Sequence, residues 1–146
     1  MKTFYTDKQG RTFVLRMERG DLLREKITEL CRVNGISNAV IVSGIATFDI
    51  VNMQMTNTTG YPIEYDVLKL TEPLELASMD GTIIDGSPHL HGVLGSGSKT
   101  YAGHLLDGCR ILYLGEVVIQ EIAGIGLERT PDENGVMLIS EKKKED

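Results

Sequence analysis

The chain has no tryptophan, and all aromatic residues together make up only 5% of its 146 positions. Stacking platforms for nucleobases or sugars are therefore poorly supplied. Cysteine is scarce as well: Cys31 and Cys109 are the two present, too few for a disulfide framework. Positive charge is in deficit, with 15 Lys and Arg against 21 Asp and Glu, for a formal net charge of −6. That balance disfavours a general phosphate-gripping surface, although it leaves room for a local basic patch. The opening residues Met1-Lys2-Thr3-Phe4-Tyr5-Thr6-Asp7 lack the apolar run of a signal peptide, and no later stretch is long and apolar enough to span a bilayer. These features point to a reduced, cytoplasmic protein with no membrane partner.

What remains is ordinary globular composition, 41% hydrophobic and 25% charged, at a length that suits one domain over residues 1–146. Alternation predicts a strand over 2–6, a turn at Asp7-Lys8-Gln9-Gly10 and a returning strand over 12–17. Asp21 is a good helix N-cap, and Leu22, Leu23, Ile27, Leu30 and Cys31 then recur at helical spacing until Asn34-Gly35. Strands follow over 38–44, 46–56 and 63–70. Asp80-Gly81 reads as a two-residue hairpin turn between 74–79 and 82–84. Asp107-Gly108 turns the chain into a long strand over 109–122, with a last strand over 124–129 and a mixed-sign, frayed tail over 141–146. The fold class is α+β, a mainly antiparallel sheet with one or more packed helices.

The three histidines, His89, His91 and His104, fall within sixteen residues of one another. His89 and His91 are two apart, so on a strand both rings leave the same face. Gly97-Ser98 between them and His104 suits a two-residue hairpin loop. With that turn, Ser96 pairs with Lys99, Leu94 with Tyr101, His91 with His104 and Leu90 with Leu105. His89 is then the diagonal neighbour of His104, within side-chain reach. One sheet face carries three imidazoles; the other carries Leu90, Leu94, Tyr101 and Leu105. Such a trio suits Zn²⁺ with one open position, or another first-row divalent ion such as Ni²⁺. A solvated polar patch at a subunit interface is the alternative reading. Asp85 and Asp107 are candidate acceptors for ring N–H groups, or simply turn residues.

Several stretches together resemble the plants and prokaryotes conserved (PPC) domain. They are Leu15-Arg16-Met17-Glu18-Arg19-Gly20-Asp21, Ala39-Val40-Ile41-Val42-Ser43-Gly44-Ile45-Ala46 and Leu74-Glu75-Leu76-Ala77-Ser78-Met79-Asp80-Gly81. The most specific are Pro88-His89-Leu90-His91, then Ala102-Gly103-His104-Leu105-Leu106 and Glu116-Val117-Val118-Ile119. Ala102 stands where the family's pattern has a first Gly. The resemblance implies an α+β domain assembling as a homotrimer, of the stand-alone prokaryotic type that commonly carries a DNA-binding label. It also implies that the His-x-His and Gly-His-Leu positions hold a metal. No Arg-Gly-Arg-Pro hook is present, and the one Lys run is hemmed by Glu141 and Glu145. The fold and the assembly therefore transfer better than direct DNA binding does.

Three functions follow as expectations. The first is a trimeric, metal-binding, non-enzymatic binding or assembly module, which takes a small ligand or anion at the metal. The second is a DNA-binding transcriptional regulator. The third is a metal-dependent hydrolase or hydratase, since an ion with a free position can activate water; Glu75, Glu116 and Glu121 are the carboxylates available to it. Arg16, Arg19 and Arg24, around the helix start, read as partners of Glu18, Asp21 or Glu25 more readily than as an anion grip.

Overall fold

The computed structural model describes residues 1–143. Its elements are β1 (Gln9–Glu18), α1 (Leu23–Asn34), β2 (Ala39–Thr56), β3 (Tyr65–Leu70), β4 (Leu74–Ile84), β5 (Ser87–Ser96), β6 (Lys99–Leu105), β7 (Arg110–Ile122), β8 (Leu127–Pro131) and β9 (Met137–Glu141). Seven strands form one antiparallel sheet in the order β1-β7-β2-β4-β5-β6, with β3 on β2, and β8 and β9 form a separate ribbon. The architecture is mostly antiparallel sheet. Among the described residues α1 is the one α-helix, so the expected one or more packed helices come down to a single short one.

The 18 residues of β2 shape the sheet. Its first half pairs with β4, while Met53 and Gln54 pair with Leu105 and His104 of β6. The pairings β2–β4–β5–β6–β2 thus close on themselves. Register shifts in β2 between Ile41 and Ser43, and on either side of Phe48, bend the strand enough to do so. Gly44 does not divide this run into two strands, because a Cβ there would lie 2.5 Å from Met79 Cε. Phe48, Met53, Ile83, Leu90, Leu94, Leu105 and Ile119 fill the interior, and α1 adds Leu23, Ile27 and Cys31 from its apolar stripe.

The helix stops as expected, at Gly35 with φ 64° and its N–H on the Cys31 carbonyl. Its start differs. Leu22 is the N-cap, with no side-chain cap, while the Asp21 carboxylate accepts from the Glu18 N–H at 2.8 Å. Backbone bonding replaces the cap, since Leu23 N–H donates to the Cys109 carbonyl at 2.9 Å.

Two turns are also corrected. Residues 2–6 form no strand: β1 finds its partner in β7, and Tyr5 is 81% exposed, so that segment has no buried face to order it. Asp80-Gly81 is not a turn but mid-strand in β4, with Asp80 opposite His91 and Gly81 opposite Leu90. The turn comes at Asp85-Gly86, both at positive φ (53° and 72°). Gly81 is there because β5 passes so close: an added Cβ would sit 2.3 Å from the His89 carbonyl oxygen. The strand expected over 124–129 lies over Leu127–Pro131 and pairs with β9, for which the sequence offered no signal. Of the tail expected to fray, Glu141 ends β9 and Lys142 meets Asp85; residues 144–146 lie outside the described residues.

Substituting Gly81→Ala would push β4 away from the carbonyl of a histidine-bearing strand. Overpacking of this kind costs about 1–3 kcal/mol, read as a lower denaturant midpoint at unchanged slope.

Candidate metal centre

The β5–β6 hairpin turns at Gly97-Ser98, with Gly97 at φ 50°, and every pairing inferred from that turn is present. Ser96 faces Lys99, Leu94 faces Tyr101, His91 faces His104 and Leu90 faces Leu105. Leu90, Leu94 and Leu105 are fully buried on the inner face. The imidazoles are therefore turned outward by the same alternation that seals the core. On the neighbouring strands, Thr82 lies opposite His89 and Gln54 opposite His104. Gly103 lets β2 come that close, since a Cβ there would lie 2.9 Å from the Gln54 carbonyl oxygen.

The three rings converge. The His89 and His91 rings stack at 5.2 Å between centroids, and His104 meets them edge-on at 4.6 and 5.3 Å. One ring nitrogen from each lies within 4.8 Å of the other two. His89 Nε2 and His91 Nε2 are 3.1 Å apart. Two nitrogens bound about 2.0–2.1 Å from one tetrahedral ion would sit about 3.3 Å apart, so the His89–His91 pair is spaced for a zinc-sized cation. A proton shared between two neutral rings gives a similar distance.

Electrostatics favours the ligating form. Burial, then repulsion from His89, His91, Arg24 and Arg129, pushes His104 down to about 4. His89 is lowered by burial first and by the Arg129 guanidinium next. Both rings are neutral at neutral pH, and neutral imidazole is what binds metal. Among the described residues no carboxylate or thiolate joins the trio.

The model of the Plants and Prokaryotes Conserved (PCC) domain matches residues 5–123. The chain belongs to this family. Among solved structures, a metal-containing protein from Archaeoglobus fulgidus is 32% identical with a TM-score of 0.83, over 97% of this chain and 100% of that one. A plant- and prokaryote-conserved protein from Pyrococcus horikoshii is 30% identical with a TM-score of 0.80, over the same shares. A curated relative, the bifunctional protein GlmU of Synechococcus sp. (strain JA-2-3B'a(2-13)), is 25% identical over 121 residues, 82% of this chain. This chain spans only 18% of that relative's length.

Other residues of this PCC domain fall away from the trio. Asp85 pairs with Lys142, and Asp107 with Arg24 at 3.2 Å, so neither accepts from a ring. Glu121 binds Arg11, Glu116 lies opposite Arg16 and Ile45, and Glu75 opposite Thr47 and Gly95. Arg16 pairs with Glu18 as expected. Arg24 does not join that group; it lines a cavity beside His89 and His104, together with Arg129. Sequence reading missed Arg129, which sits in a short strand beyond the matched region with no motif around it.

Proposed function

We propose that the chain is a homotrimeric, zinc-binding PCC-domain protein of the cytoplasm, working as a binding and assembly module rather than an enzyme. The observation that carries the reading is the convergence of His89, His91 and His104 ring nitrogens within 4.8 Å. These three residues would hold the ion, and three imidazole nitrogens with one remaining position are a donor set that Zn²⁺ accepts readily. The metal-containing description of the Archaeoglobus fulgidus relative, at 32% identity, supports it. Cys31 and Cys109 are buried free thiols, in keeping with a reducing compartment. Bound zinc would supply a Lewis-acidic position for a small ligand. The hydrolase or hydratase reading has the same trio in its favour, but none of its three glutamates lines the cavities around it.

Metal analysis of tag-free protein tests the centre. About one equivalent of zinc per chain is expected, lost in His91→Ala, with a chelator lowering the melting temperature of the wild type only. No metal, with wild type and His91→Ala equally stable in chelator, would leave the polar patch.

The assembly rests on the outer face of the sheet. Val14, Ile45 and Leu114 are 74%, 51% and 44% exposed there, on the adjacent strands β1, β2 and β7. Exposed apolar residues on one face, with Arg16 and Glu116 among them, suit a partly polar interface between copies of the chain. Sedimentation equilibrium at micromolar concentration should give three chains per particle; a stable monomer would sink the assembly.

The DNA-binding reading has the family's label behind it and the net charge of −6 against it. Phosphate-driven binding weakens steeply with salt. A gel-shift titration at physiological salt should show no shift, and salt-sensitive binding below the micromolar range would reverse that reading.

A further inference from the structure

Beside the imidazoles lies positive charge that a metal site does not call for. A cavity of about 340 Å³ opens against His89 and His104, and both Arg24 and Arg129 line it. Arg24 reaches it from the first turn of α1, where its Nη2 donates to the Pro88 carbonyl at 3.0 Å and its Nη1 faces the exposed Asp107 carboxylate. Arg129 arrives from β8 and donates to Thr82 Oγ1 at 3.0 Å and to the Met137 carbonyl at 3.3 Å, both neutral acceptors. Among the described residues no carboxylate pairs with Arg129. The Nε of each arginine is enclosed and has no hydrogen-bond partner.

An enclosed guanidinium loses hydration that neutral carbonyls restore only in part, and the usual remedy is an anion. Here two guanidiniums share one cavity wall with two imidazoles. An ion held by the histidines would add a further positive charge to the same wall. Like charges gathered at one place in a chain of net charge −6 need a reason.

We propose that this cavity binds a small organic oxyanion, its carboxylate or phosphate head held by Arg129 and Arg24 at the mouth of the histidine trio. One contact rests on the zinc reading, namely an anion oxygen in the fourth position at the ion. The arginine contacts do not. The volume is near the lower end of small-molecule sites, about 300–1,000 Å³, enough for a head group and a short body and too little for a polymer. Tyr65, Pro88, Val136 and Met137 provide apolar wall for that body. Arg129, Val136 and Met137 come from the β8–β9 ribbon, beyond the residues 5–123 that the family model matches. The ribbon thus adds a ligand-facing wall to the family's sheet.

Calorimetric titration of the zinc-loaded protein, with inorganic phosphate and separately with succinate in a chloride-poor buffer, tests the proposal and distinguishes the head groups. At least one should bind saturably. Arg129→Gln should weaken that binding by roughly tenfold or more, with metal content retained. Arg129→Lys keeps the charge and loses the planar fork, so it should fall between the two. Repeating the titrations on metal-free protein separates this proposal from the zinc reading. If metal never binds but Arg129→Gln still weakens the anion, the arginine site stands without its metal contact. No saturable binding of either anion up to about 10 mM, or equal binding by both Arg129 variants and the wild type, overturns it.

Discussion

The β5–β6 register is the constraint on which the site depends. A slip of the whole β5–β6 hairpin by one residue against β4 and β2 would bring three imidazoles into the core and expose Leu90, Leu94 and Leu105, each fully buried. Burying one leucine contributes roughly 1.5–3 kcal/mol, so the exchange would cost about 5–9 kcal/mol in apolar burial alone. No turn preference competes with that. The histidines are held together because the leucines behind them cannot be held anywhere else. Closure of β2 onto β6 then fixes His104 from its other side, through the pairing with Gln54.

Such placement has an electrostatic consequence. Three imidazoles this close cannot all be charged, and the nearby guanidiniums make protonation harder still. Burial and repulsion together hold His104 down to about 4, so the protein presents neutral nitrogens without spending carboxylates on them. Three of the carboxylates are occupied elsewhere. Asp107 faces Arg24, Glu121 binds Arg11, and Asp85 pairs with Lys142. The net charge of −6 therefore describes the surface at large and not the wall of this cavity.

How much could be read beforehand follows the range of the interactions involved. The histidine hairpin was legible because one tight turn and two-residue alternation determine it locally, and the C-terminal end of α1 was legible at Asn34-Gly35 for the same reason. Asp80-Gly81 misled because glycine serves two purposes. It permits a turn, and it also permits the close passage of another strand, and only the position of β5 shows which applies. Residues 2–6 alternate like a strand, yet β7 was the better partner for β1, a competition between segments more than a hundred residues apart. The closed circuit of strands depends on bulges in β2, which leave no mark in the hydrophobic pattern.

Arg129 was invisible for a related reason, and its position says how the molecule is divided. The sheet supplies the parts that must not move: histidines on paired strands, backed by leucines and bent by β2. The ribbon of β8 and β9 is a separate sheet, held at Thr82 by Arg129, at Asp85 by Lys142, at Asn38 by a bond to the Ile125 carbonyl just before it, and by the buried Leu127. A rigid wall sets the geometry of a metal centre, because ligand nitrogens must be placed within tenths of an ångström. A wall built on a second sheet suits recognition of what enters the cavity, since its side chains lie outside the paired strands that carry the histidines. The three histidines and Arg24 lie in the part that the family model matches, and Arg129 lies beyond it. A domain with the same three histidines and a different ribbon would present a different wall to this cavity.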